Sequence, residues 1–293
     1  MKKLAGILPP VATPFQNGKV AVDKLKQNYM KWNKTGLSGY LVLGSNGESV
    51  YLTEKEKVKL IEVSRECIPS SKIMMVGTGM ESTGETIRVT NQAAKLGADC
   101  ALVGVPCYFK SSMKPQILYD HFTAVADASK IGILLYNVTQ FTGINMEADL
   151  AARLSEHPNI VGAKDSTGNI GQLSEIVRMS KKGFAAFVGA APVLYPALCV
   201  GAVGGILAVA NVVPEVCVRI QALFEKRDLE KTRQLQNSLT PLAAAVTTKH
   251  GIGGLKAAMD LAGYFGGEPR LPLKRPGKEV EEELKGLLEH VSQ

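Results

Sequence analysis

A chain of 293 residues, 45% of them hydrophobic, is long enough to bury the core of one large domain. Its 34 Lys+Arg against 27 Asp+Glu leave a net charge of +7, scattered over pairs such as Lys2-Lys3, Lys55/Lys57 and Lys181-Lys182 and not interleaved with aromatic residues, so nucleic-acid binding is not supported. No apolar run approaches the length of a membrane span, the four histidines show no zinc-type spacing, and the five cysteines (Cys67, Cys100, Cys107, Cys199, Cys217) form no Cys-x-x-Cys pair. With no signal peptide ahead of the first strand, the thiols read as reduced and the protein as cytoplasmic.

Short apolar runs recur along the chain at Gly6–Ala12, Gly39–Leu43, Ile73–Gly77, Ala101–Val105, Ile131–Tyr136, Ile160–Lys164, Ala185–Val188 and Gly205–Val209. Most are continuously apolar, the pattern of parallel strands covered by helices on both faces. Between them lie stretches of helical period. Thr53 is placed to cap one that carries Val58, Leu60, Ile61 and Val63, and Ser82 to Glu85 forms a capping-box pattern opening the next. Further helices are predicted over about 115–127, 147–156, 170–180 and 190–200.

Eight strands alternating with helices predict a (β/α)8 barrel over residues 1–226. A doubly wound open sheet is the other reading, but it would advertise a glycine-rich phosphate turn after its first strand, where this chain has Pro9-Pro10. Gly77-Thr78-Gly79 lacks the third glycine of a dinucleotide fingerprint and reads as a tight turn. Helical patterns then continue through 215–226, 229–247, 252–262 and 277–290, more than a barrel needs. They predict a C-terminal helical extension over 227–293, packed on the barrel.

In such a barrel the active site lies at the C-terminal ends of the strands, which makes those ends the places to read for chemistry. The sixth strand ends on Lys164, followed by the loop Asp165-Ser166-Thr167-Gly168. An ammonium at the end of a buried strand is costly unless paired, solvated or neutralised, and there it would serve as an amine nucleophile toward a carbonyl. A lysine that snorkels to solvent fits the same position. The second strand leads to Gly44-Ser45-Asn46-Gly47-Glu48, where two glycines, a hydroxyl, an amide and neighbouring N–H groups suit a carboxylate, or an ordinary polar turn. The fifth ends in Tyr136-Asn137, a phenol able to act as acid or base, or a rim tyrosine. The fourth leads to Pro106-Cys107-Tyr108-Phe109, and the eighth lies in Gly201-Ala-Val-Gly-Gly-Ile206, where glycines permit close backbone approach.

Together, Gly44-Ser-Asn-Gly-Glu48, Tyr136-Asn-Val138 and Lys164-Asp-Ser166 resemble the pyruvate-dependent class I aldolases, the family that includes dihydrodipicolinate synthase, N-acetylneuraminate lyase and 4-hydroxy-2-oxoglutarate aldolase. The resemblance runs from Gly6-Ile-Leu-Pro-Pro-Val-Ala-Thr-Pro-Phe15 to Ala243-Ala-Ala-Val-Thr247 and Gly251-Ile-Gly-Gly-Leu-Lys256. It implies Lys164 as the Schiff-base lysine, Tyr136 as the proton-transfer tyrosine, and Ser45 and Asn46 as the pair holding the pyruvyl carboxylate, with Ser45 also in a proton relay. By the same resemblance Tyr108 matches the tyrosine that reaches the neighbouring subunit's site, and Ile206 the position whose backbone carbonyl faces the keto acid. Ser166 matches a serine near the distal part of the substrate. A homotetramer acting on a keto acid, pyruvate with an aldehyde, is implied, without metal or organic cofactor. Synthases of the family usually carry an arginine where this chain has Phe141, and a phenyl ring cannot pair with a substrate carboxylate. The combination of motifs most resembles the 4-hydroxy-2-oxoglutarate aldolase branch, with synthase, keto-deoxy-sugar-acid dehydratase and non-catalytic keto-acid binder as the other readings.

Overall fold

The computed structural model describes residues 2–292. Eight parallel strands carry the architecture: β1 (Gly6–Leu8), β2 (Gly39–Val42), β3 (Ile73–Gly77), β4 (Cys100–Gly104), β5 (Gly132–Asn137), β6 (Ile160–Asp165), β7 (Ala185–Val188) and β8 (Gly204–Ile206). From β2 to β8 each strand pairs with the next in sequence, and β8 pairs with β1. The ring is completed between β1 and β2, where Ser38 N–H donates to Ile7 O, Leu41 N–H to Pro9 O and Val11 N–H to Leu41 O, at 2.8–3.0 Å. The fold is therefore a (β/α)8 barrel, as the strand–helix alternation predicts.

Eight helices follow the strands in turn: α1 (Val22–Trp32), α2 (Glu54–Cys67), α3 (Thr83–Lys95), α4 (Pro115–Ala128), α5 (Ala148–Ser155), α6 (Ile170–Met179), α7 (Leu194–Cys199) and α8 (Pro214–Glu225). The capping box at the start of α2 forms, with Thr53 and Glu56 satisfying each other's backbone N–H groups. At α3 only half of the predicted box exists. Ser82 caps Glu85 N–H, but the Glu85 carboxylate turns to Arg88, which offers a two-pronged charged partner. Three strands are shorter than their apolar runs, β2 by a single residue. β1 stops before Pro9 and Pro10, which have no N–H to continue a ladder, and the residues after β8 coil into a 3-10 turn at Ala208–Asn211.

Three more helices follow: α9 (Leu229–Ala244), extended by a π-helical turn at Ala245–Lys249, α10 (Gly251–Leu261) and α11 (Lys278–Ser292). α9 packs on α7 and α8, and α11 on α9 and α10. The segment after α10 crosses back to the start of the chain, where Tyr264 stacks on Trp32 at 5.5 Å and Gly267 bridges Phe15. Phe15 belongs to a small hairpin, Phe15–Gln16 with Lys19–Val20, turned by Asn17 and Gly18 at positive φ.

Two apolar cores result. One fills the barrel with Leu8, Leu41, Met75, Leu102, Leu134, Phe187 and Ile206, and Tyr136 packs against it from the C-terminal end. The other lies between sheet and helices and continues beneath α9 and α10. All five cysteines are free. Among the described residues no helix is long and apolar enough to cross a membrane.

Candidate active site

Lys164 is buried, and it faces inward because of an irregularity in its strand. Along β5 and β6 the partners run Ile133 with Ile160, then Leu134 with Gly162, leaving Val161 as an extra residue. Side chains alternate along a strand, and Ile160 faces the helices. Strict alternation from Ile160 would send Lys164 toward the helices too. The inserted Val161 reverses the phase, so Ala163 faces the helices and Lys164 points into the barrel mouth beside Tyr136, its register partner. Gly162 makes the bulge possible, since a Cβ there would lie 2.4 Å from the carbonyl oxygen of Ala185 on β7. The amine of Lys164 lies over the Tyr136 ring, 4.4 Å from its centroid. This is not the snorkelling lysine of the alternative reading: only 4% of Lys164 is exposed.

The Tyr136 hydroxyl is 3.4 Å from that of Ser45, linking the end of β5 to the turn after β2. That turn is a single 3-10 turn, Ser45–Gly47, closed by Glu48 N–H donating to Ser45 O at 3.0 Å. Leu43 and Glu48 bracket it at φ 58° and 55°, a left-handed conformation that costs a non-glycine residue on the order of 1 kcal/mol or more. Such backbone persists only where its surroundings hold it. Here Thr13 Oγ1 donates to Gly47 O at 2.7 Å, and Gly47 itself sits so close to Val11 O that a Cβ would fall at 2.9 Å. Ser45 and Asn46 are half-buried at the barrel mouth.

Ser166 joins the same group. A Cβ placed on Gly189, just beyond β7, would meet Ser166 Oγ at 1.9 Å and Lys164 Cε at 2.9 Å, so serine and lysine both lie against that glycine. Ile206 is fully buried at the end of β8. Lys164, Tyr136, Ser45, Asn46, Ser166 and Ile206 thus all stand at the strands' C-terminal ends. Two other expected residues sit on outer loops. Tyr108 is 80% exposed beyond β4, edge-on to Phe109, and its N–H donates to Glu81 at 2.8 Å. Phe141 is 62% exposed on the helical turn Thr139–Thr142 beyond β5. Among the described residues, no hydrogen bond, ion pair or ring contact joins either of them to Lys164.

Sequence reading missed the groups that brace these residues. Asp165, pointing away from the barrel axis behind Lys164, accepts from Asn137 Nδ2, Gln172 Nε2 and both the N–H and hydroxyl of Thr167. Asn137 in turn accepts from Met146 N–H. Glu48 is only 2% exposed and faces Lys256 on α10, itself fully buried. Burial pushes the Lys256 ammonium below the usual lysine range, against the opposing pull of Glu48. A lone lysine inside the apolar stretch Gly253 to Met259 is the sequence signal that marks this position. Among the described residues no group of three or more His, Cys, Asp or Glu side chains is placed to hold a metal ion.

Comparison with known proteins agrees with this fold. A family model described as the dihydrodipicolinate synthetase family matches residues 3–291. A 4-hydroxy-tetrahydrodipicolinate synthase of Methanothrix thermoacetophila is 35% identical over 289 residues, covering 98% of this chain and 97% of the relative. A probable mitochondrial 4-hydroxy-2-oxoglutarate aldolase of Emericella nidulans is also 35% identical, over 283 residues, 95% of this chain and 91% of its own length. The crystal structure of dihydrodipicolinate synthase from Thermotoga maritima superposes with a TM-score of 0.95 at 31% identity, covering 99% of both chains.

Proposed function

Because the chain belongs to the dihydrodipicolinate synthetase family, an enzyme family of pyruvate-dependent lyases, we propose that it cleaves a 4-hydroxy-2-oxo acid to pyruvate and an aldehyde through a Schiff base on Lys164. The observation that carries this reading is the buried amine against the Tyr136 ring, with the Tyr136 and Ser45 hydroxyls in contact beside it. Lys164, as its free amine, attacks the C2 ketone; the Tyr136 hydroxyl gives its proton to the carbinolamine oxygen, which leaves as water, so that a cationic imine and a Tyr136 phenolate remain. That imine is an electron sink, which divides one difficult carbanion step into easier ones. Tyr136, relayed through Ser45, takes the proton of the C4 hydroxyl as the C3–C4 bond breaks. The bonding pair flows into the imine to give an enamine, and the aldehyde leaves. Protonation at C3 and hydrolysis by water release pyruvate and the lysine. At 3.4 Å the Tyr136–Ser45 contact is longer than an optimal hydroxyl pair, and such contacts tighten when a reactant is bound. Ser45, Asn46 and the amides of their turn hold the carboxylate and so set the ketone against the amine.

Condensation of pyruvate with aspartate semialdehyde is the second reading, favoured by the Methanothrix relative, named for a synthase. It uses the same imine and differs in what the enamine attacks. The reading extends to a cytoplasmic oligomer of four copies, in which Tyr108, exposed beside Phe109, reaches a neighbour's site. Borohydride reduction in the presence of pyruvate, followed by peptide mass spectrometry, tests the mechanism. The expected product is a single adduct on Lys164, absent from Lys164→Ala; an adduct elsewhere, or none, overturns it. Pyruvate release from 4-hydroxy-2-oxoglutarate or 2-keto-3-deoxy sugar acids, set against condensation with aspartate semialdehyde, separates the two readings.

A further inference from the structure

The turn carrying Ser45 and Asn46 is held from behind by the far end of the chain. The Glu48 side chain dips beneath the turn, where its Oε1 lies 2.5 Å from Lys256 Nζ in a close ion pair and its Oε2 accepts from Arg270 N–H at 2.7 Å. Both partners of the ion pair are buried, Lys256 completely. Lys256 also donates to Glu268 O at 3.1 Å, and its ammonium sits 4.4 Å from the centre of the Phe15 ring, whose surroundings include the Arg270 guanidinium at 4.3 Å. Gly266 packs so tightly against the Lys256 backbone that a Cβ would fall 2.1 Å from its carbonyl oxygen. The lysine is therefore held at its backbone as well as at its ammonium.

The path from this pair to the site is short and made of named bonds. Glu48 N–H closes the 3-10 turn on Ser45 O, so the backbone of Glu48 and that of Ser45 move together. Glu48 holds a left-handed conformation that its own side chain does nothing to favour, and its carboxylate is the part anchored elsewhere. Two charges are not needed here to fill space: a buried ion pair is weak evidence for stability, because matched apolar groups often serve as well or better. What the pair supplies is direction, fixing one carboxylate between one ammonium and one backbone N–H.

We propose that Lys256 is a positioning residue for the keto acid's carboxylate, acting through Glu48 on the Ser45–Asn46 turn. The inference rests on the reading of that turn as the carboxylate cradle. It gives the segment after the barrel a part in catalysis without contact to the reactant.

The test separates positioning from stability by removing both charges at once. Glu48→Gln/Lys256→Met leaves no unpaired buried charge and keeps the shape of the Glu48 side chain and most of the length of the Lys256 stem. The pyruvate concentration giving half-maximal borohydride trapping on Lys164 is then measured beside the thermal midpoint. Positioning predicts a folded protein whose half-saturating pyruvate rises about tenfold or more, while trapping at saturating pyruvate stays within about threefold. It further predicts that Asn46→Ala added to the double variant raises half-saturation less than the same change in the parent, because the cradle is already loosened. A folded double variant with parental half-saturation overturns the proposal and leaves the Schiff-base reading standing. A parent that traps no pyruvate on Lys164 overturns both. Should the double variant not fold, the titration is repeated on Glu48→Gln, which retains the Lys256 ammonium and the side chain's shape; unchanged half-saturation there again overturns the proposal.

Discussion

Replacing Gly162 by alanine asks whether the β6 bulge is what delivers Lys164 to the barrel mouth. The added Cβ would stand 2.4 Å from Ala185 O and 3.1 Å from Ala185 Cβ, whereas ordinary contact begins at 3.4 Å. β6 and β7 must therefore separate by about 1 Å, or the bulge must relax, and neither neighbour is a flexible side chain that can swing aside. Overpacking of this kind costs ~1–3 kcal/mol. For a chain of this size that lowers the melting midpoint by roughly 2–5 °C. The larger effect is catalytic, since Lys164 lies two residues beyond Gly162 on the displaced strand, and a misplacement of about 1 Å is worth on the order of 100-fold in rate. Differential scanning calorimetry gives the first quantity; the single-turnover rate of pyruvate trapping on Lys164 gives the second. A variant that melts lower but traps at the parental rate would refute the link between bulge and lysine. One that melts and traps like the parent would refute the steric argument as well.

Tyr136→Phe keeps the ring over Lys164 and removes only the hydroxyl 3.4 Å from Ser45, so kcat for cleavage is expected to fall ~10²–10⁴-fold with little change in melting; a fall of less than tenfold would remove the phenol from the proton path. Phe141→Arg places a guanidinium on the exposed loop beyond β5, and is expected to lower KM for a second substrate carrying a distal carboxylate while pyruvate trapping is unchanged; equal shifts in both would show that this loop does not treat the two halves separately. The hydrogen bonds from Arg270 hold the Glu56 carboxyl at about 2, below its ordinary 4.5. A depressed carboxyl contributes stability above its unfolded value that is lost as pH falls, here from 4.5 through about 2, and partial exposure limits it to roughly 1–2 kcal/mol. Urea midpoints should accordingly show Glu56→Gln less stable than the parent at pH 7, with the gap closing near pH 2; a gap independent of pH would refute the assignment.

The barrel was legible because its strands are apolar throughout, and only a sheet covered on both faces calls for that. The same continuity concealed the bulge. In Ile160–Lys164 every residue before the lysine is small or apolar, so no alternation reveals which side chains face the axis, and the extra Val161 appears only in the register against β5. Strand ends were less legible than strand centres, as Pro9-Pro10 and the coil after Ile206 show. The hairpin at Phe15–Val20 carried a readable Asn17-Gly18 signal between strands only two residues long. Lys256 could be noticed in its apolar setting, but its partner Glu48 belongs to the opposite end of the chain. Glu48 itself resembled any acidic residue closing a polar turn. Pairings of that kind are set by tertiary packing, which local pattern does not encode.

The site divides into two parts of different mechanical character. The amine, the phenol and the carboxylate turn stand on strand ends or are bolted to them, by the β6 bulge, the Asp165 network and the Glu48–Lys256 pair. The residues beyond β4 and β5 are exposed: Tyr108 at 80%, Phe109 at 71% and Phe141 at 62%. The imine chemistry proposed for Lys164 needs its groups held to within a fraction of an ångström, which the strand-borne part supplies. Choice of the second reactant needs only a different rim, and loops change without disturbing the sheet beneath them. On the proposed mechanism, one imine site with different rims would serve both activities for which the two relatives, each 35% identical to this chain, are named. The same proposal assigns the choice of second reactant to the loops beyond β4 and β5, and the presentation of the lysine to β6.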